Sequence, residues 1–207
     1  MLFKTISASL FLFATVNSLI TATPAKASNT IQNTEVAARD IIPDNSLQEK
    51  RFICKGCNEN ENAALAYFQD VGVSDKNALA TIMANIRQES MFVPNICEGG
   101  SIVPYHNCRR GGYGLIQFTA SSRYYGLGSF SKQTNGDPSS LETQLKYITT
   151  EPEWKQVEDR FKQPGKSISQ YMKYAFRWLG WGIKGPRTSY AYDYVNRLVI
   201  QETQPDS

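Results

Sequence analysis

A run of apolar residues at helical spacing between residues 74 and 89 constrains the fold of this chain most strongly. Ser74 is a suitable N-cap, and the predicted helix ends at Glu89. Four apolar residues recur in it at steps of three and four, namely Leu79, Ile82, Met83 and Ile86. Because Glu89 continues the face that carries them, its carboxyl group is expected to point inward rather than into solvent.

Further helical segments surround this one. Residues 91–118 contain many glycines and two prolines, so we expect a loop there with a small hairpin. The other predicted helices run from Glu61 to Gly72, from a cap at Asp137 and Pro138 through Ile148, from Pro152 through Phe161, from Ser167 to Gly180 and from Pro186 through Val199. The chain is therefore predicted to be mainly α, without an internal repeat.

The N-terminus has the composition of an export signal. Residues 1–27 contain Lys4, a short apolar run and the sequence Ala25-Lys26-Ala27, which predict a cleaved signal peptide. An uncleaved anchor is the alternative, although the run is short for a stable membrane span. Residues 28–60 read as a polar linker or leader, 61–202 as the folded domain and 203–207 as a tail. We therefore expect a secreted or periplasmic protein.

The charge of the mature chain gives no sign of a polyanionic partner. The formal net charge of +3 falls to +1 when Lys4 and Lys26 are removed with the signal peptide, because that segment contains no acid. This balance does not call for nucleic acid or an anionic membrane surface. We expect a monomer without a nucleic-acid partner, a metal or a cofactor.

Four cysteines, an even number in an exported chain, predict disulfides. Three pairings are possible, and we favour Cys97 with Cys108 and Cys54 with Cys57. A thioredoxin-like redox motif at Cys54–Cys57 is one alternative, but the chain beyond it lacks the strands of that fold. A zinc site built from all four is another, although Cys97 and Cys108 lack the spacing of a close ligand pair.

Two features suggest chemistry on glycans. Burial and the negative end of the helix dipole both disfavour a charged carboxylate at Glu89, so it is a candidate general acid. About two dozen residues later comes the sequence Gly112-Tyr113-Gly114-Leu115-Ile116-Gln117-Phe118-Thr119, here called the glycine turn. Glycines let the backbone approach a sugar, and Gln117 offers both a donor and an acceptor to sugar hydroxyl or acetamido groups. A structural glycine hairpin and a solvated Glu89 are the plainer alternatives.

Glu89 at a helix end, the glycine turn, Arg123 and the helix motif Leu141-x-x-Gln144-Leu145-x-x-Ile148 together resemble the phage tail lysozyme-like family. This family belongs to the lysozyme-like superfamily, and the likeness runs from about Glu61 to Ile200. The resemblance implies a lysozyme-like α+β domain that cleaves the β-1,4 bonds of peptidoglycan glycan strands. It further implies Glu89 as the general acid and Tyr113, Gln117 and Thr119 as residues of the sugar cleft. Arg123 is expected either to border the same cleft or to be exposed.

A glycosidase with two carboxylates needs a second acid about 5 to 9.5 Å from the first. Glu98, the only acid between Glu89 and Asp137, is the candidate for that role. Without it, Glu89 would act alone, as in lytic transglycosylases, which form anhydro ends. A glycan-binding module without activity is a third possibility. A hydrolase that uses His106, the single histidine, has no supporting motif.

Overall fold

The computed structural model describes residues 51–109 and 111–201. The predicted signal peptide, the tail and most of the predicted leader lie outside these residues. The elements in chain order are β1 (Phe52–Cys54), α1 (Glu59–Asp70), α2 (Lys76–Ser90), a 3-10 turn (Tyr105–Asn107), α3 (Ser121–Gln133), α4 (Leu141–Ile148), α5 (Pro152–Lys155), α6 (Glu158–Lys162), α7 (Ile168–Leu179), α8 (Arg187–Arg197) and β2 (Leu198–Ile200). The fold class expected from the sequence, mainly α with a small β component, is confirmed.

Helix α2 is the centre of the domain. The sequence predicted one buried face, but every residue from Ala78 to Ile86 is fully buried. Helices α7 and α8 pack against it, and α1 contacts another side. A helix surrounded in this way has no solvent face for most of its length. Its last turn, which carries Glu89, is where the buried helix reaches the surface.

The helices α2, α4 and α7 begin near the predicted residues, but the expected residue is not always the N-cap. Asp75, not Ser74, caps α2 by accepting a hydrogen bond from the Ala78 N–H at 3.0 Å. Ser140, not Asp137, caps α4, because the Asp137 carboxylate accepts from the Ser139 N–H instead, at 2.8 Å. At α7 the Ser167 prediction is confirmed, since its hydroxyl caps the helix.

The two ends of the described chain pair in a small antiparallel sheet. Phe52 lies opposite Ile200, and Cys54 lies opposite Leu198. The strand β1 therefore belongs to the folded domain, although the sequence placed it in the leader. The prediction that the last helix continues through Val199 was also wrong, because β-branched Val199 and Ile200 pair with β1 once the two segments meet.

Helix α3 was not predicted because it has little apolar periodicity and contains two glycines. Both glycines are in close contact with tyrosines: a Cβ at Gly126 would overlap the Tyr147 hydroxyl, and one at Gly128 would overlap that of Tyr105. Glycine is unfavourable inside a helix by about 1 kcal/mol, but here it makes room for these rings. The low helix propensity of these glycines therefore hid α3 from prediction, although tertiary packing stabilises the helix.

The helix predicted from Pro152 through Phe161 is instead two short helices, α5 and α6, separated at Gln156 and Val157. The break lets Trp154 stack on Phe161 with their ring centroids 5.4 Å apart. Trp178 of α7 meets Trp154 edge-on at 5.1 Å. This aromatic cluster is the second part of the core. No helix among the described residues is long and apolar enough to cross a membrane.

Candidate active site

Glu89 lies in the last turn of α2 with 16% of its side chain exposed. The neighbouring residue fixes this helix end to the glycine turn, because the Ser90 hydroxyl donates to the Leu115 carbonyl at 2.9 Å. The chain then leaves the helix through two left-handed residues, Met91 at φ 52° and Phe92 at φ 62°. Non-glycine residues rarely take this conformation, and such strain is concentrated at functional sites. The two features found in the sequence are therefore adjacent in space.

The Glu89 carboxylate is paired with a buried cation. Nη2 of Arg187 lies 2.7 Å from Oε1 of Glu89, and only 4% of the arginine side chain is exposed. Nη1 of Arg187 donates to the carbonyl and to the side-chain oxygen of Asn85, at 3.3 and 3.2 Å. Within the described residues Oε2 of Glu89 has no hydrogen-bond partner. One carboxylate oxygen is thus held by the protein and the other is left for a ligand.

Sequence reasoning missed Arg187, although one signal was present. A cation at the first residue of a helix opposes the helix dipole, and Arg187 is the first residue of α8. A residue that breaks a local rule often has a tertiary role. Here the guanidinium also lies over the Trp181 ring, with Cζ 4.5 Å from the centroid.

The glycine turn is built around close backbone contacts. Gly114 has φ +74°, and a Cβ at this position would overlap the side-chain amide of Gln144. Oε1 of Gln144 accepts from the Leu115 N–H at 2.8 Å, while its Nε2 donates to the carbonyls of Pro94 and Pro138 at 2.5 and 2.8 Å. This fully buried amide links the glycine turn to the backbone at Pro94 and Pro138. The sequence pattern contained Gln144 but did not reveal this function.

Gln117 and Thr119 remain candidates for sugar contacts. Gln117 is half-buried with φ 49°, and its Nε2 donates to the Gly114 carbonyl at 3.1 Å. Thr119 is exposed, and its hydroxyl donates to the Gln117 carbonyl at 2.8 Å. Their proposed contact with a glycan stays a prediction.

Tyr113 is not placed as the sequence predicted. Its side chain is fully buried, and its hydroxyl donates to the Val103 carbonyl at 3.1 Å and shares a second hydrogen bond with the Ser139 hydroxyl at 3.0 Å. Its ring meets those of Tyr105 and Tyr124 edge-on. With neither a free face nor a free hydroxyl, Tyr113 supports the hairpin and does not line a sugar cleft.

Arg123 is also a structural residue. Its Nε and Nη2 bind both oxygens of the Glu151 carboxylate, at 2.9 and 2.5 Å, and the indole N–H of Trp178 donates to the same carboxylate at 3.1 Å. Burial raises the pKa of Glu151, and the Arg123 guanidinium opposes that effect. Arg123 is itself 8% exposed, so the alternative of an exposed residue was wrong, and a place for Arg123 at the border of a sugar cleft stays a prediction.

Glu98 is exposed and bound to the glycine turn. Its Oε2 accepts from the Gly112 N–H at 2.9 Å, and its own N–H donates to the Gly112 carbonyl at 2.8 Å. In the described part of the chain no hydrogen bond or ion pair joins it to Glu89. A role for Glu98 as second carboxylate stays a prediction.

The cysteine pairing is confirmed. Cys54 bonds to Cys57, and Cys97 bonds to Cys108. The alternative of a four-cysteine zinc site is therefore wrong, and the thioredoxin-like alternative lacks the sheet of that fold, because the described residues form a sheet of two strands. The described residues contain no cluster of three or more histidine, cysteine or acidic side chains suited to a metal ion.

A cleft of about 1030 Å³ lies beside the glycine turn, between the 3-10 turn and α3. Of the predicted catalytic and sugar-binding residues it includes only Thr119 among the described residues, while Glu89, Glu98 and Gln117 lie outside its lining. The glycine turn therefore contacts both the helix end that carries Glu89 and the cleft, but Glu89 does not line the cleft.

The family model for phage tail lysozymes matches residues 59–184. This chain belongs to the phage tail lysozyme family. The family expected from the motifs is thus confirmed, and it suggests a lysozyme-like, peptidoglycan-lytic function. Searches of curated proteins and of solved structures found no match. Arg187 lies just beyond the matched range of the phage tail lysozyme model, whereas Glu89 and the glycine turn lie within it.

Proposed function

We propose that this chain is an exported peptidoglycan-cleaving glycosidase in which Glu89 is the general acid. The observation that carries the proposal is the state of its carboxylate: one oxygen is held by Arg187 at 2.7 Å, and no protein group in the described chain occupies the other. The carboxyl group is also fixed beside the glycine turn through Ser90. A positioned acid with a free oxygen can meet the glycosidic oxygen of a bound strand.

In the proposed reaction Glu89 donates its proton to the leaving oxygen as the bond from that oxygen to the anomeric carbon breaks. The glutamate becomes negatively charged in this step, while the sugar develops oxocarbenium character. Arg187 stabilises the new carboxylate more than it stabilises the neutral acid. Such an interaction strengthens along the reaction coordinate and therefore contributes to catalysis.

The fate of the sugar defines a second candidate. If water attacks the anomeric carbon, the product has a reducing end. If the 6-hydroxyl of the muramic sugar attacks instead, an anhydro ring forms and the hydroxyl proton returns to Glu89. The hydrolytic outcome needs a second carboxylate about 5 to 9.5 Å from Glu89, the role proposed for Glu98, whereas the anhydro outcome needs none.

Export through a cleaved signal peptide at residues 1–27 is part of the proposal. Two disulfides suit an oxidising compartment outside the cytoplasm. We also propose that the chain acts as a monomer on glycan strands.

Mass spectrometry of the products from purified peptidoglycan tests the proposal. The chain and its Glu89→Gln variant are compared with Glu142→Gln, in which an acid whose side chain is 77% exposed is changed in the same way. We expect cleavage by the parent and by the Glu142 variant, and a loss of about 100-fold or more in the Glu89 variant. Reducing ends identify a hydrolase and anhydro ends a transglycosylase. Binding without any Glu89-dependent product would instead establish a glycan-binding module.

A further inference from the structure

The cleft beside the glycine turn is lined by basic side chains. Three of them, Arg109, Lys132 and His106, are among its lining residues, and none of the lining residues that the structure describes is an aspartate or a glutamate. All three are exposed. A cleft lined by one sign of charge raises the local concentration of ions of the other sign.

Two of these basic groups carry charges that no acid of the described chain pairs with, unlike several basic residues elsewhere on the surface. Arg51, Lys146 and Lys155 each form an ion pair with a neighbouring acid, at 2.7, 2.5 and 2.7 Å. Neither Arg109 nor Lys132 has an ion-pair partner within the described residues. Their charges are therefore available to a ligand.

Two acids lie beside the cleft, and each is hydrogen-bonded to the backbone. Glu98 approaches the cleft residue Gly111, and its carboxylate accepts from the Gly112 N–H. Asp137 lies between two lining residues, and its Oδ1 accepts from the Ser139 N–H at 2.8 Å. Within the described residues neither carboxylate forms an ion pair with a basic residue of the cleft.

The backbone adds to the positive potential. Helix α3 begins in the cleft at Ser121, and Ala120 supplies no side-chain cap for its first N–H groups. The N-terminus of a 13-residue helix carries a partial positive charge that favours anions. This charge has the same sign as those of Arg109 and Lys132.

Stacked tyrosines give the cleft a rigid aromatic wall. The rings of Tyr105 and Tyr124 lie 4.3 Å apart and nearly parallel, and the Tyr105 hydroxyl donates to the Tyr124 carbonyl at 2.6 Å. Tyr125 projects beside them with 69% of the residue exposed. The cleft can therefore contact apolar groups that accompany an anion.

We infer that this cleft binds the peptide stems of peptidoglycan through their carboxylates. The inference rests on the proposed function, and it specifies the substrate as a glycan strand that carries free peptide carboxylates. Thr119 links the two sites, because it lines the cleft and is also the last residue of the glycine turn. A stem attached to a sugar at the turn enters the cleft from that side, where Arg109 and Lys132 neutralise its charge.

Calorimetric titration with a soluble disaccharide peptide of peptidoglycan tests this binding. The ligand is used with free carboxyl groups and, separately, with the same groups converted to amides. The protein is the full chain carrying Glu89→Gln, which prevents any turnover by Glu89, and the heat of binding is a readout that does not depend on a catalytic role for Glu89. We expect the free form to bind about tenfold more tightly, because each of two exposed ion pairs contributes a few-fold.

The variants locate the effect. Arg109→Gln with Lys132→Gln is expected to remove the preference for the free carboxylates, whereas Lys173→Gln with Arg177→Gln, two exposed residues of α7 outside the cleft, is expected to retain it. Equal affinities for the two ligand forms, or the same loss in both double variants, would overturn the inference. Tighter binding of a glycerol phosphate polymer than of the peptide ligand would overturn it in favour of a phosphate site.

Discussion

Arg187 and Glu89 form a largely buried ion pair at 2.7 Å although they lie 98 positions apart in the chain. The pair connects the start of α8 to the end of α2. It holds one oxygen of the candidate acid while Asn85 and Trp181 hold the guanidinium. The geometry of Glu89 therefore depends on a helix that follows the matched family region.

Replacement of Arg187 should lower both stability and the cleavage rate. Arg187→Ala leaves a largely buried carboxylate unpaired, so we expect a loss of about 3 kcal/mol in unfolding free energy. It also removes the group that holds one oxygen of Glu89, so kcat should fall by roughly 10-fold or more while KM changes little. Arg187→Lys should restore much of kcat, since it retains the charge. A variant that is merely less stable, with an unchanged kcat while folded, would contradict a positioning role.

Replacement of Arg123 should affect stability without affecting the cleavage chemistry. Arg123→Ala leaves Glu151, which is 1% exposed, without its guanidinium, and urea unfolding should show a loss of about 3 to 5 kcal/mol. Arg51→Ala breaks an exposed pair with Asp70 and should cost less than about 1 kcal/mol. Below the unfolding transition, Arg123→Ala should cleave at the parental rate. A rate that falls while the protein remains folded would return Arg123 to the site.

Adding one methyl group at Gly114 should lower both the stability of the domain and its cleavage activity. Gly114→Ala and Gly99→Ala both place alanine at positive φ, +74° and +87°, but only the Cβ at Gly114 meets another group, the Gln144 amide. Both should lose about 1 to 2 kcal/mol from backbone strain, and Gly114→Ala should lose a further 1 to 3 kcal/mol, roughly, from overpacking. Cleavage should fall for Gly114→Ala alone. Equal losses of stability in thermal unfolding would show that the contact with Gln144 does not matter.

The tyrosine cluster should make the domain sensitive to alkali. Burial, together with the neighbouring Tyr124, raises the pKa of Tyr105 from 10.0 to about 12. Because the folded pKa is raised, this contribution to stability is fully present below about pH 10 and is lost as the pH rises through about 12. Urea unfolding at several pH values, with tyrosinate absorbance followed in parallel, measures the loss.

A matched pair of variants assigns that loss. Tyr105→Phe removes the titrating group and should reduce the drop in unfolding free energy, whereas Tyr192→Phe changes a tyrosine that is 57% exposed and should retain it. An unfolding free energy that is constant across this pH range would contradict the expected contribution of Tyr105.

Much of the helical framework could be predicted from local patterns. Three such patterns are the apolar spacing of α2, the N-cap Ser167 of α7 and the left-handed Gly180 that ends α7. Each involves residues close together in the chain, so each could be recognised in the sequence. Helix α3 could not be predicted in this way, because its two glycines are explained only by the tyrosine rings that pack on them.

The same distinction between local patterns and long-range contacts applies to the candidate site. The sequence by itself determined the Glu89 helix end, the glycine turn and the family, since each depends on residue types at short spacing. It favoured the disulfide pairs without fixing them. Only the tertiary structure decided that Arg187 pairs with Glu89, that Tyr113 and Arg123 are internal supports, and that Gln144 fixes the turn. These are contacts between residues far apart in the chain. A side chain's exposure and partner depend on which distant segments pack around it, and residue spacing does not encode that packing.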